Sequence, residues 1–404
     1  MKKNDYDFRS LFPIFKKYPR LVYFDTAATS LKPLPMIKAL KNFYMYNGLS
    51  VRSQSFLLNH NNNLIIEKIR KKIANFFNAS LSKEIIFTKS ATESLNLIAQ
   101  ILGEQIIKPG DEIITSELEH NSSILPWFKI VQQKKASLVF IPLNSHQQIT
   151  LENFCKVLTN KTKILVLTHV SNFLGHQTPI REIVRIAKQK HNIIVILDAA
   201  QSVGHMPLDV QELGVDFMAF SAHKMYGPFG LGVLYGKQKF LKQLNPTIIG
   251  GNSVTDVFFE NFTLNTVPEK FEAGTPNIGS IVAFGQTLTL LQQIGFGAIK
   301  KHEQKLLYKL RKELSIFRNL KILNPLGSYM VTFNFDFIHA HDVESFLASD
   351  NICVRTGALC AHLLTKNIKQ PSVIRISLGM HNNEEDIKIL IQSLRKVEQF
   401  FIKY

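Results

Sequence analysis

Between residues 21 and 220, short and almost wholly apolar β-branched runs recur, and several are separated by longer segments of helical periodicity. The run Ile193-Ile194-Val195-Ile196-Leu197 carries no polar residue at all. Such a strand suits a sheet covered on both faces. Strand-like runs fall at residues 21–24, 84–88, 111–115, 137–141, 163–168, 192–197 and 216–220. Helical periodicity marks residues 64–77, 92–101, 122–133 and 181–190. Alternation of this kind predicts an α/β fold with a mostly parallel, doubly wound sheet. After about residue 290 the texture changes. A long helical stretch (297–313) is followed by a strand (329–335), a helix (342–348), a short strand (373–378) and a terminal helix from Glu384. That order predicts a second, smaller α+β domain.

Open α/β sheets bind ligands beyond the carboxyl ends of their strands, so the polar residues at those ends carry the functional information. Thr88-Lys89-Ser90-Ala91-Thr92-Glu93 joins a strand to a helix. Ser90 with Glu93 forms a capping box, and the same helix N-terminus, with the hydroxyls of Ser90 and Thr92, is a candidate anion cup. Glu119-His120-Asn121-Ser122 also follows a strand; Asn121 or Ser122 can cap the next helix, and His120 is either a solvated loop residue or a stacking partner for a planar ligand. Asp198-Ala199-Ala200-Gln201 places a carboxylate directly after a buried strand, where it caps the following helix or meets a buried cation. Ser221-Ala222-His223-Lys224 leads into a Gly/Pro turn. Lys224 there is either solvated or a desolvated, nucleophilic amine. In the small domain, Arg375 interrupts an apolar strand and is best placed as a carboxylate clamp. Cys360, in the turn after Arg355-Thr356-Gly357, is either a small buried residue or an accessible loop thiol. Together, an anion cup, a stacking histidine, a strand-end aspartate with a glutamine, and a Ser-x-His-Lys run are the parts a pyridoxal phosphate site needs.

From Val22-Tyr23-Phe24-Asp25-Thr26-Ala27-Ala28 onward, the chain resembles the class V aminotransferase family of fold-type I pyridoxal phosphate enzymes, and within it the Suf-type cysteine desulfurases. The resemblance also rests on Thr168-His169-Val170-Ser171-Asn172, Asp198-Ala199-Ala200-Gln201, Ser221 through Pro228, Phe271-Glu272-Ala273-Gly274-Thr275-Pro276-Asn277 and Arg355-Thr356-Gly357-x-x-Cys360. It implies a large domain with a mostly parallel seven-stranded sheet and a smaller α+β C-terminal domain. The expected division is an N-terminal segment (1–17) packing with the small domain, a cofactor-binding domain (18–291) and a small domain (292–404) with the catalytic cysteine. The resemblance further implies Lys224 as the Schiff-base lysine, His120 stacked on the cofactor ring, Asp198 on the pyridine nitrogen and Gln201 on the ring hydroxyl. Thr92, Ser221 and His223 would bind the phosphate, with Thr275 from the other subunit of a homodimer. Asn172 and Arg375 would hold the substrate carboxylate with Arg355 nearby, and Cys360 would take the sulfur. The implied activity converts L-cysteine to L-alanine and passes a persulfide to an acceptor protein for iron–sulfur cluster or thio-cofactor assembly. A selenocysteine lyase or an aminotransferase on the same scaffold is the rival enzyme. Three stretches depart from the pattern: Ala91 replaces a threonine common among relatives, residues 52–56 lack both histidines of a His-Arg-Gly-x-His stretch, and Gly250-Gly251 continues as Asn252-Ser253.

Composition narrows the setting. Hydrophobic residues are 45% and charged residues 20%, which excludes a disordered chain. The net charge of +17 permits nucleic-acid binding, yet the basic residues are scattered singly and in pairs, so no nucleic-acid partner is expected, and a dead scaffold used for that purpose would have lost Lys224 or Asp198. Three cysteines without zinc-ligand spacing exclude a disulfide framework and point to a reducing compartment. Residues 1–20 are polar, and the apolar stretches are too short or too polar to span a bilayer. The expectation is a cytoplasmic protein without membrane or metal.

Overall fold

The computed structural model describes residues 7–49, 56–190 and 192–402. The atypical stretch at residues 52–55 therefore lies outside the described residues. A seven-stranded sheet organises the larger part of the chain. Its strands are β1 (Ile85–Thr88), β2 (Glu112–Thr115), β3 (Ser137–Phe140), β4 (Thr162–Thr168), β5 (Ile194–Asp198), β6 (Phe217–Ser221) and β7 (Gly232–Gly236), in the spatial order β1-β7-β6-β5-β4-β2-β3. All neighbouring pairs are parallel except the two made by β7. β5, β6 and β7 are buried at every position, because each face of the sheet carries its own apolar layer. One layer centres on Ile114, Leu165, Val195 and Phe220, the other on Ile113, Val166, Ile196 and Phe217. Alternate residues of one strand feed opposite layers, as the two-residue period of a strand requires.

Two strands depart from the expected arrangement. Residues 21–24 do not enter the large sheet: Val22–Tyr23 pairs in parallel with Ile352–Cys353, and Val22 and Phe24 join the core of the smaller unit. Its place in the sheet is filled by β7, which is bounded by Gly232 and Gly236 and so carries a weak strand signal. Gly232 is there for steric reasons. A Cβ at this position would lie 2.4–2.6 Å from the backbone of Ser90, so the turn after β1 can press against β7 only because that residue has no side chain.

Helix α1 (Ala91–Gln105) follows β1, and α2 (Asn121–Lys134) follows β2. Beyond α3 (Phe296–Leu314), four antiparallel strands are ordered Leu320–Ile322, Met330–Phe335, Val373–Ser377, Arg355–Gly357. This sheet packs its own core, with Phe333, Ile374, Ile376, Leu390 and Leu394. Phe8 and Phe12 enter the larger core, while Arg9 pairs with Asp386 on the terminal helix at 3.0 Å. Ser377 bridges to Asp25, and its backbone N–H donates to the Phe24 carbonyl at 2.7 Å. The segment after Val22–Tyr23 is thereby held against the strand that carries Arg375.

Candidate active site

A cavity of about 350 Å³ opens where the carboxyl ends of β1, β2, β4, β5 and β6 face the small sheet. Its wall contains Thr92, His120, Asn172, Asp198, Gln201, Ser221, His223, Lys224, Arg355, Cys360 and Arg375. Eleven residues singled out in the sequence thus meet in one space. Thr275 does not join them in a single chain; it lines a second cavity of about 410 Å³ with Gly274 and Glu272.

Lys224 ends the short 3₁₀ turn that follows β6. Burial drives its amine below the usual lysine range, opposed by the charge of Asp198 and reinforced by that of Arg375. Asp198 is the last residue of β5 and is buried; its Oδ1 accepts from the Ala200 N–H at 2.9 Å. Burial raises its pKa, while that hydrogen bond and Lys224 pull it back. His120 caps α2, and its Nδ1 accepts from the Ser122 N–H at 3.1 Å. Burial, with Lys224 and Arg375 adding to it, lowers the imidazole to about 4. The ring is therefore neutral at physiological pH, and this hydrogen bond assigns its proton to Nε2.

The candidate anion cup lies between two helix N-termini. Ser90 caps α1, with its Oγ accepting from Glu93 N–H at 3.1 Å. Ser221 Oγ accepts from the Ala91 N–H at 2.7 Å. Thr92 Oγ1 shares a 2.8 Å hydrogen bond with Ser122 Oγ, and Ser122 also lines the cavity. Ser122 thus brings a second hydroxyl beside Thr92, where Ala91 has none. Its sequence position showed only a cap. His223 Nδ1 lies 3.1 Å from Thr29 Oγ1, and burial lowers its ring to about 4, with Lys224 and Lys32 contributing.

On the opposite wall, Arg355 and Arg375 are direct cross-strand partners. Like charges so placed repel, and Asp25 resolves the conflict. Its Oδ2 accepts from Arg355 Nε and Nη2 at 3.0 and 2.6 Å, and its Oδ1 accepts from Arg375 Nη2 at 3.1 Å. Arg375 Nη1 donates to the Asn172 carbonyl at 2.7 Å. Among the described residues, Arg375 Nε and Asn172 Oδ1 are buried and meet no hydrogen-bond partner. Asp25, to which the motifs assign no role, carries the same sequence mark as Asp198, a carboxylate directly after an apolar strand. A second missed carboxylate is Glu119. It accepts from Ser116 Oγ, Thr168 N–H and Ser123 Oγ at 2.8, 3.0 and 3.0 Å, and burial pushes it up to about 8. It ties the His120 turn to the end of β4.

Cys360 is exposed to the cavity. Leu359 and Cys360 both adopt left-handed backbone, with φ of 51° and 56°, a strained choice for a leucine. Two contacts impose it: Asn172 Nδ2 donates to the Leu359 carbonyl at 2.6 Å, and Asn121 N–H donates to the Cys360 carbonyl at 2.9 Å.

Residues 22–390 match the family model described as aminotransferase class-V. The chain belongs to the class V aminotransferase family. Among curated relatives, the chain is 38% identical to a probable cysteine desulfurase of Halalkalibacterium halodurans, over 98% of this chain and 99% of that one. It is 36% identical to a cysteine desulfurase of Wigglesworthia glossinidia brevipalpis, over 98% of each. Among solved structures, a cysteine desulfurase of Thermococcus onnurineus superposes with a TM-score of 0.92 at 34% identity, over 97% of each chain. One from Escherichia coli does so with a TM-score of 0.91 at 32% identity, over 97% of this chain and 98% of that chain. Members of the class V family with this arrangement are pyridoxal phosphate enzymes, and so is this chain. The cavity fits that cofactor: it offers a buried amine for the aldehyde, a buried carboxylate for the ring nitrogen, and two helix N-termini with hydroxyls for the phosphate. Among the described residues no helix is long and apolar enough to cross a membrane.

Proposed function

We propose that the protein is a cysteine desulfurase, which takes sulfur from L-cysteine, releases L-alanine and holds the sulfur as a persulfide on Cys360. The observation that carries this reading is the opening of Cys360 into the same cavity as Lys224, Asp198 and the Asn172–Arg375 wall. An aminotransferase needs no thiol there.

Bound pyridoxal phosphate supplies an electron sink for the bonds around the substrate α-carbon. Lys224 would hold it through the aldehyde, Asp198 through the ring nitrogen, Gln201 through the ring hydroxyl and His120 through its ring face. Thr92, Ser221, His223 and the N-termini of α1 and α2 would hold the phosphate, aided by Thr275 of the partner subunit. Arg375 Nε and Asn172 receive the substrate carboxylate, and Arg355 adds positive charge beside them. Burial favours the neutral amine of Lys224, so its Nζ can accept the α-proton and return a proton to the product. The Cys360 thiolate attacks the substrate sulfur. The new S–S bond forms as the C–S bond breaks, the electron pair stays on the substrate carbon, and a proton completes alanine. The left-handed turn at Leu359–Cys360 holds the cysteine at the wall of this space.

The enzyme acts as a homodimer. This reading is supported by exposed large apolar side chains, among them Tyr44, Tyr46, Ile248, Phe258 and Phe259, and by the placement of Thr275 outside its own chain's cavity. The persulfide passes to an acceptor protein serving iron–sulfur cluster or thio-cofactor assembly. Four residues separate Cys360 from Arg355 and fourteen from Arg375. Two backbone contacts also pin the turn, so the acceptor has to bring its own thiol inward. The net charge of +17 favours an acidic acceptor whose effect weakens with salt. Three unpaired cysteines support a reducing, cytoplasmic setting.

The test is production of alanine from L-cysteine by cofactor-loaded protein, with mass spectrometry of the trapped persulfide. Alanine in step with a persulfide on Cys360, lost in Cys360→Ser while cofactor binding stays, is the expected result. Alanine formation unaffected by Cys360→Ser, or a persulfide on Cys155 or Cys353, refutes the assignment. Acceleration by an acidic sulfur carrier at low but not high ionic strength tests the acceptor.

A further inference from the structure

Behind Gln201, on the side away from the cavity, a row of buried polar side chains has no part in the chemistry above. Tyr329 Oη lies 2.7 Å from the Gln201 carbonyl and 2.8 Å from Gln201 Oε1. Both neighbours are acceptors, so the phenol must donate. Gln201 Nε2 donates to the Ala27 carbonyl at 2.8 Å. Reversing the amide would set Oε1 against that carbonyl, acceptor to acceptor, so the Ala27 carbonyl fixes the orientation. The single phenol hydrogen is shared between the Gln201 carbonyl and Oε1 and holds the amide in that orientation. Two hydrogens sit on Nε2 and only one meets Ala27, so the free edge that Gln201 presents to the cavity is a donor.

The phenol is itself held. The His205 ring stacks on Tyr329 with centroids 3.5 Å apart and planes 10° from parallel. His205 Nδ1 bonds the Glu303 carboxylate of α3 at 2.9 and 3.0 Å. Gln201, His205, Glu303 and Tyr329 are all buried. Burial also holds the phenol well above the usual tyrosine range, so it stays protonated as a donor.

We infer that Tyr329 is a positioning residue for the cofactor: through its hydroxyl it locks Gln201 with the amide donor edge turned toward the cofactor's ring hydroxyl. The inference rests on the reading of Gln201 as the partner of that hydroxyl. It ties cofactor binding to α3 and to the strand Met330–Phe335, neither of which lines the cavity. Gln201 can still sit in the cavity without Tyr329, but its Oε1 is then buried without a donor, and the amide is free to turn.

The experiment titrates pyridoxal phosphate into apo-protein and follows the visible absorption of the loaded protein against pH, for Gln201→Ala, Tyr329→Phe and the double variant. Circular dichroism checks folding. Tyr329→Phe keeps the ring on His205; Tyr329→Leu replaces it if the first variant does not fold. Gln201→Ala is expected to weaken cofactor affinity about three- to tenfold, the equivalent of one hydrogen bond, and to move the pH midpoint of the absorption. Tyr329→Phe should move both in the same direction, and the double variant should match Gln201→Ala alone. If Gln201→Ala changes both readouts and Tyr329→Phe changes neither, the positioning role is overturned. If the Tyr329→Phe effect persists in the Gln201→Ala background, Tyr329 does not act through Gln201 and the inference also fails. If neither variant changes anything, the assignment of Gln201 itself fails, and the inference with it.

Discussion

Asp25→Asn tests the wall on which the substrate carboxylate is proposed to rest. Asp25 is 3% exposed and accepts from two guanidinium groups whose parent residues are direct cross-strand partners. Asparagine keeps the shape but loses the charge, and its amide NH₂ must turn a donor toward one arginine or the other. The Arg375 side chain is 4% exposed, so this half of the bridge is a buried pair. Removing one partner of such a pair costs about 3–5 kcal/mol, because the other charge stays buried. The Arg355 side chain is 50% exposed, so its share is screened by solvent and adds at most about 1 kcal/mol. The expected loss of stability is therefore about 3–5 kcal/mol, carried by the Arg375 half. Denaturant unfolding of the cofactor-loaded protein measures it. Turnover should fall with it. Two arginines no longer held apart lose the orientation that presents Arg375 Nε to a carboxylate, and kcat/KM for L-cysteine should drop at least about tenfold, a loss of about 1.4 kcal/mol in transition-state binding. Asp25→Glu should recover part of both. Unchanged stability together with unchanged kcat/KM in Asp25→Asn would refute the view that this carboxylate holds the wall together.

Gly232→Ala should weaken pyridoxal phosphate binding at least about tenfold, because a Cβ 2.4–2.6 Å from the Ser90 backbone displaces the N-terminus of α1; cofactor titration of the apo-variant checks it, and wild-type affinity would remove Ser90 from the cup. The His120 imidazole, lowered to about 4 by burial, should stay neutral down to about pH 4, and NMR titration should show no protonation near pH 6.5. Since the folded value lies below the unfolded one, His120 favours the fold above pH 6.5, and that contribution is lost as pH falls through 6.5 toward 4. Glu119 has the opposite sign: its folded value is raised to about 8 from 4.5, so the folded state binds the extra proton and stability declines as pH rises from 4.5 through 8. Glu119→Gln keeps the acceptor for Ser116 and Thr168 and should flatten that decline in denaturant midpoints measured between pH 5 and 8; an unchanged slope would mean that Glu119 is ionised in the fold.

The sequence by itself determined the alternation that makes a doubly wound sheet. It also determined the carboxylate that ends β5, since a charged side chain directly after an apolar run is conspicuous without any structure. Asp198 was legible for that reason, Lys224 from the Ser-x-His-Lys run before a Gly/Pro turn, and the Ser90 cap of α1 because capping is a local interaction; α2, by contrast, is capped by His120 and not by Asn121 or Ser122. What only the tertiary structure decided is who meets whom across long separations. Val22–Tyr23 reads as one more strand, yet it pairs with Ile352–Cys353, because an apolar pair fits either core and only the packing of the whole chain chooses. β7 was unreadable because its strand ends in glycine at both sides, and its Gly232 is demanded by the backbone of Ser90, a contact across 142 positions. Asp25, Arg355 and Arg375 look like three separate charges along the chain. The register of two antiparallel strands turns them into one bridge. Tyr329 and Gln201 likewise become partners only when the small sheet packs against the loop after β5. Periodicity and capping are short-range and survive in a linear reading, whereas hydrogen-bond partners 100 or more residues apart are set by the folded cores that bring them together.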